Sequence, residues 1–440
     1  MNKYLLIGVA AIAAVFLPAC SSDDSTKNNQ LNPIELSRAE SEVSANLNGF
    51  SVNLLKALAD QNDENKNIAV SPLGAGMVAG MFGNAIADED LSELTKALGL
   101  ESNDLTALNS FNAKMLETLP SHDKSATLKL ANGSWFDQDH VQLSDPYRSV
   151  LEDTYKSEIH MADFRNSATL ADINSWVSER TDNAIPNILK ELDSSSRSIW
   201  ANVFYFKGTW LSKFNKLKTQ KEEFTLFNGK TTEVDMMSGS DKNYGILAFK
   251  RINGYDGDPY GPDADPENIL VTTMATMDYG NGGFALSAIM PDERVTIKEF
   301  ISENSNNILD VFSNPRLLGI PLSGVELFFP KLSLSVETDL VEPMKALGAN
   351  NIFSGVNMPG IGIASLKESS KPMSIKNFKQ SIRLDVDEEG TVIKVATITG
   401  GMGANILPST AKFDHPFIYF IWEKTTGTIL LEGVVMNPNE

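Results

Sequence analysis

The stretch DVDEEGTVIKVATITGGMGANILPSTAKFDHPF, Asp385 to Phe417, changes character halfway along. From Thr391 to Ile398 it alternates as a strand does. Thr391, Ile393, Val395 and Thr397 share one face, and Val392, Lys394, Ala396 and Ile398 share the other. The run then gives way to Gly400, Gly401, Met402, Gly403 and Ala404, which offer no side-chain volume for a core and keep the backbone extended and adaptable. A well-formed strand therefore leads into a segment that nothing in its own composition would bury.

Outward from this stretch, the limits are broad. A chain of 440 residues with 42% hydrophobic content can form one large domain or two ordinary ones. Its formal charge of −20 repels a phosphate backbone over most of the surface, which argues against nucleic-acid binding. Lys3, the apolar run Leu5 to Leu17 and the sequence Leu17-Pro18-Ala19-Cys20 read as a signal peptide over residues 1–19, too short to span a bilayer. The segment also resembles the bacterial lipobox, in which the cysteine carries lipid. That implies attachment at Cys20, a flexible tether over 20–35, and a place at a bacterial outer membrane or cell surface. Cys20 is the only cysteine, so the remaining chain has no thiol chemistry.

From Leu36 onward the pattern runs without a long linker or repeat, as one domain over 36–440. Leu47, Phe50, Leu54, Leu55 and Leu58 fall at helical spacing within Ala45 to Leu58, and Asn67 to Val70 reads as a short strand. Ser71-Pro72 opens a helix rich in small residues. Helices around Pro146 to Tyr155 and Ala168 to Thr181 alternate with strands at Thr127 to Phe136 and Trp200 to Phe206. Later strands are expected at Phe284 to Met290, Val325 to Leu334, Ile382 to Val386, Phe417 to Trp422 and Thr428 to Val434. Helices first and strands later predict an α+β fold. The acidic stretch 253–268 reads as a surface insertion.

Catalytic signatures are missing. The chain has no HExxH, GxSxG or CxxC motif, and Gly229-Lys230-Thr231 fails as a phosphate loop because Phe224 stands where its first glycine belongs. Asp256, Asp258, Asp263 and Asp265 match no calcium-loop spacing and read as a solvated loop. Neither a metal nor a cofactor is expected. His415, between Asp414 and Pro416 at the entry of a strand, reads as structural.

Several motifs, in order, resemble the serpin family over about Ala45 to Pro438. Asn67-Ile68-Ala69-Val70-Ser71-Pro72 looks like the start of its shutter helix, and Thr95 to Gly99 like the segment that follows. Ile173-Asn174-Ser175-Trp176-Val177 with Thr181 is similar to its INxWVxxxT signature, and Asn202 to Trp210 to its NAxYFKGxW strand. Met236-Met237, Glu388-Glu389-Gly390-Thr391, His415-Pro416-Phe417 and Gly433 to Pro438 complete the series.

The resemblance implies a serpin fold of three β-sheets and eight or nine helices, with an exposed reactive-centre loop over about 390–412. It implies a monomer, not an enzyme, whose partner is a serine protease, with papain-like cysteine proteases as a further class of target. The protease cuts the loop, and the cleaved loop joins the central sheet as a new strand. Glu388, Glu389, Gly390, Thr391, Val392, Ile393, Lys394 and Val395 would form the hinge, and Ser71, Asn202, Trp210, Gln380 and His415 the shutter and breach. Two counts place the cut differently. Forward from Gly390 it is Ala404-Asn405; back from Pro416 it is Asn405-Ile406, with Met402 as a secondary site. A small residue there suits elastase-like or subtilisin-like pockets. Two departures stand out. Val392-Ile393-Lys394-Val395 replaces the usual small hinge residues, which would favour a non-inhibitory substrate or carrier protein if insertion is slowed. Gln380 replaces a frequent histidine, and its amide can both donate and accept.

Overall fold

Ser37 and Glu40 fix the start of the first long helix. The Ser37 hydroxyl accepts the Glu40 N–H while the Glu40 carboxylate accepts the Ser37 N–H, so α1 (Arg38–Asp60) begins before its apolar stripe does. A computed structural model describes residues 31–62, 66–183, 185–193, 196–239, 245–252, 269–313, 326–356, 358–359, 361–363, 375, 378–390 and 410–440. The end of the expected tether is fastened rather than free: Asn32 exchanges hydrogen bonds with His122, and Ile34 is buried. Cys20, residues 391–409 and the insertion 253–268 lie outside the described residues.

Ser71 caps α2 (Pro72–Gly83) by accepting the Gly74 N–H, and every residue of that helix is buried. Glycine lets it lie against a sheet, because a Cβ on Gly74 would come within 2.5 Å of Asn202 Oδ1. Helices at Asp88–Ala97, Thr106–His122 and Ile297–Ser313 add to those expected.

Behind α1 and α2 lies a six-stranded sheet in the order Ile68–Val70, Ile429–Val435, Phe417–Glu423, Phe284–Met290, Ile269–Tyr279, Gly245–Ile252. Phe284–Met290, Phe417–Glu423 and Ile429–Val435 are buried at every position, which explains their largely apolar sequences, with Ser287, Glu423 and Glu432 buried among them. A four-stranded sheet orders Thr410–Lys412, Glu326–Pro330, Thr231–Gly239 and Gln220–Thr225. The single strand expected over Val325 to Leu334 is really two strands in different sheets. Pro330 has no N–H with which to continue the first ladder, and Lys331 separates it from the second. A short pair joins Val141–Leu143 to Ile361–Ile363.

The front sheet is divided. One part is β1 (Thr127–Asp137) between β2 (Ser157–Ala162) and β3 (Ser198–Lys207); the other pairs β4 (Leu332–Asp339) with β5 (Lys379–Val386). Register is tight in each, with Asn132 opposite Asn202 and Leu334 opposite Leu384. Counting the divided front sheet as one gives the three principal sheets expected, with nine α-helices among the described residues.

Candidate functional site

β3 and β5 face each other across the division, yet no ladder joins them among the described residues. They run in the same direction, as the isolated parallel bridge between Trp210 and Gly390 beyond their ends shows. Between them lies a cleft. Its upper part is a cavity of about 450 Å³ walled by Phe204, Phe206, Ile382 and Leu384, with Ile421 and Leu431 of the rear sheet also lining it. Its lower part is narrower, about 80 Å³, with Trp200, Asn202, Phe378 and Gln380 in its lining.

Alternation on both walls gives the cleft two faces. Trp200, Phe204 and Phe206 of β3 pack on the main core, as do Ile382, Leu384 and Val386 of β5. Ala201 and Val203 point the other way, into a second cluster with Trp135 and Trp176 under α3 (Ser167–Arg180). Arg383 and Asp385 are exposed on the outer face of β5. In front, the Asn174 side chain accepts the N–H groups of Ile188 and Leu189 and donates to Leu189 O, which holds the segment after α3 near the lower cleft.

The upper mouth is closed by a knot of contacts. Trp210 Nε1 donates to Asp387 O at 2.9 Å, and Asp387 Oδ1 accepts the N–H groups of Glu389 and Gly390. Glu388, only 4% exposed, accepts from Thr219 at 2.6 Å and pairs with Lys331 at 2.8 Å. Burial raises its pKa, but Lys331 and Thr219 outweigh that and hold it below the ordinary carboxylate range. Glu389 meets Lys213 at 3.0 Å and Lys216 at 2.6 Å. These lysines, with Thr219 and Lys331, had no signal in the sequence, since they are distant along the chain from the glutamates they hold.

Halfway down, the Gln380 amide behaves like a peptide group. Its Oε1 accepts the Ser71 N–H at 2.7 Å and its Nε2 donates to Ser71 O at 2.9 Å. Asn202 donates to Asn132 on its own side, so Gln380 and Asn202 face the cleft without bonding to each other. Ser71, Asn202, Trp210, Gln380 and Glu388 to Gly390 are thus brought to one cleft. His415 is not; it lies between Asp414 Oδ1 and Pro291 O, where it bonds as a structural residue. Thr391, Val392, Ile393, Lys394, Val395, Met402, Ala404, Asn405 and Ile406 lie outside the described residues.

Such a cleft is suited to receiving a strand rather than to bond chemistry. Each bare edge presents N–H and C=O groups that another backbone can satisfy. The chain leaving β5 turns at Asp387 to Gly390, at the mouth, and a segment doubling back from there would run antiparallel to both walls. No group of three potential metal ligands occurs among the described residues.

The chain is similar to known proteins over nearly its whole length. The model of a family described as Serpin (serine protease inhibitor) matches residues 45–438. Serpin-ZX of Arabidopsis thaliana is 28% identical over 418 residues, covering 89% of this chain and 97% of that protein. Alpha-1-antitrypsin 1-2 of Mus musculus is 25% identical and covers 99% and 97%. Among solved structures, the thermophilic serpin tengpin in its native state superposes with a TM-score of 0.73 at 23% identity, covering 93% of this chain and 97% of its own. Arabidopsis AtSerpin1 in its native stressed conformation gives 0.70 at 25% identity, covering 92% and 100%. With a front sheet divided around a strand-sized cleft and a family match from residue 45 to 438, the chain belongs to the serpin family.

Proposed function

We propose that this protein is a suicide-substrate inhibitor of serine proteases that attack after small residues. The observation that carries the reading is the cleft itself: two like-directed bare edges with Gly390, the residue before the reactive segment, at their upper end. The protease serine Oγ attacks the carbonyl of Ala404, an ester forms, and the amine of Asn405 leaves as a new N-terminus. On the alternative count the same step uses Asn405 and Ile406. The freed segment then enters the cleft with Thr391, Ile393, Val395 and Thr397 toward the main core and Lys394 toward solvent. About 14 residues at ~3.3 Å each span roughly 45 Å, enough to carry the acylated protease well away from the mouth. Deacylation stalls when that displacement distorts the protease site.

A lipid on Cys20 would hold the inhibitor at a bacterial outer membrane or cell surface, where it meets proteases from outside. The bulky hinge supports a second reading, in which insertion is too slow and the protein is only cut.

The test uses the chain without its first 20 residues, incubated with pancreatic elastase or subtilisin and run on a denaturing gel. A band at the summed mass is expected. Complete cleavage near Ala404 with no such band would overturn inhibition.

A further inference from the structure

Glu388 and Glu389 are neighbours in sequence but differ in what they hold. Glu388 is buried, paired with Lys331 just before β4 in its own half of the front sheet, and accepts one neutral hydrogen bond from Thr219 of the segment that leaves β3. Glu389 is exposed and reaches the other half. Lys213 and Lys216 belong to the segment that leaves β3, so their ion pairs with Glu389, at 3.0 Å and 2.6 Å, cross the mouth of the cleft from wall to wall. They lie beside the Trp210–Gly390 bridge, where an entering strand must pass.

We propose that Glu389 is a positioning residue, an electrostatic latch that acts through Lys213 and Lys216 to hold the cleft mouth closed and set the rate of strand entry. This rests on the reading of the cleft as a strand acceptor. Two cations on one carboxylate form a small network, which is stronger than an isolated surface pair but still open to screening. All three side chains are more than a third exposed, so salt should release the latch.

The experiment follows a synthetic peptide of residues 391–404 entering the intact protein, by native gel and by the rise in melting temperature. Glu389→Gln should admit the peptide roughly three to ten times faster than wild type at low ionic strength. At 1 M salt, where the Debye length is about 3 Å, the wild type should catch up. Glu389→Lys combined with Lys213→Glu and Lys216→Glu should restore slow, salt-sensitive entry. Equal rates at low salt, or a difference that persists at high salt, would overturn the latch while leaving the cleft reading in place. Failure of the peptide to enter any variant would remove the cleft reading and the latch with it.

Discussion

Cutting the reactive loop without unfolding the protein should raise its melting temperature, and the walls of the cleft set the size of the rise. β3 has 10 residues and β5 has 8. Alternate residues of a strand turn both backbone groups to the same side, so about half of each wall, roughly 18 N–H and C=O groups, can bond an inserted strand. At a net ~1 kcal/mol per bond this contributes about 18 kcal/mol. Four or five inward side chains, packed against groups such as Ile421 and Leu431, add about 2 kcal/mol each. Ordering about a dozen loop residues costs roughly 1.5 kcal/mol apiece. The net is on the order of 10 kcal/mol. For a domain of about 400 residues, unfolding entropy near 2.1 cal/mol/K per residue converts that to a shift of roughly 10 °C or more. The assay is scanning calorimetry before and after limited nicking by subtilisin, with the cut mapped by mass spectrometry. Nicked protein that melts within about 2 °C of the intact chain would show that the freed segment stays outside, and the reasoning from bare edges would fail.

Other outcomes can be read from single groups. Both ring nitrogens of His122 face acceptors, Asn32 O at 2.7 Å and Glu423 Oε1 at 3.1 Å; burial opposes the charge, but these partners raise its pKa above the ordinary value. The fold therefore holds this proton more tightly than the unfolded chain does, so its contribution is full below about pH 6.5 and is lost as pH climbs through the raised value. Melting temperature should decline from pH 6 to pH 9, and less steeply in His122→Gln; identical slopes would refute the assignment. Glu432 is fully buried, with Ser51 the only side chain donating to it among the described residues, and burial pushes its pKa well above the usual range. Its stabilising contribution is present at low pH and lost as pH rises past the ordinary carboxylate value, so Glu432→Gln should raise the melting temperature at pH 7 and do little at pH 4. In the hinge, Ile393→Ala with Val395→Ala should increase the fraction of protease trapped rather than released, since overpacking by such groups costs about 1–3 kcal/mol. An unchanged ratio of inhibitor consumed to protease trapped would show that hinge bulk is not what limits entry.

How much of this was legible follows from what a pattern encodes. β1, β3 and β5 fall within a few residues of where strand-forming composition puts them; β5 alternates because one of its faces is exposed, whereas β1 and β3 pack on a core at both faces. Ser71-Pro72 announced α2 for the equally local reason that a cap and a fixed φ start a helix. Two elements were harder. Thr106–His122 carries an internal Pro120 in its last turn, and the turn at Pro330 hides a change of sheet inside one apolar run. The division between β3 and β5 was not legible in the residue pattern; only the family resemblance implied a sheet that takes up a strand. Side-chain pattern tells which face of a strand is buried, whereas a missing neighbour is a property of its backbone edge, on which all sequences look alike.

The two departures from the family pattern act at different places. Gln380 spends its amide on Ser71, behind its own wall, so no side-chain bond joins it to Asn202 across the middle of the cleft. The upper cavity is roomy where Phe206 and Leu384 face each other, and the wall-to-wall contacts gather between Trp210 and Gly390. A strand that has passed the mouth therefore meets vacant edges, and the resistance falls on the first residues to enter. Those would be Thr391 to Val395, the segment whose bulk departs from the hinge pattern that the resemblance implied. If latch and bulk resist the same step, relieving either should speed entry, and relieving both should gain less than the product of the two once a later step limits the rate. Glu389→Gln combined with Ile393→Ala measures that shortfall, and fully multiplicative gains would mean that entry at the mouth still limits the rate after both changes.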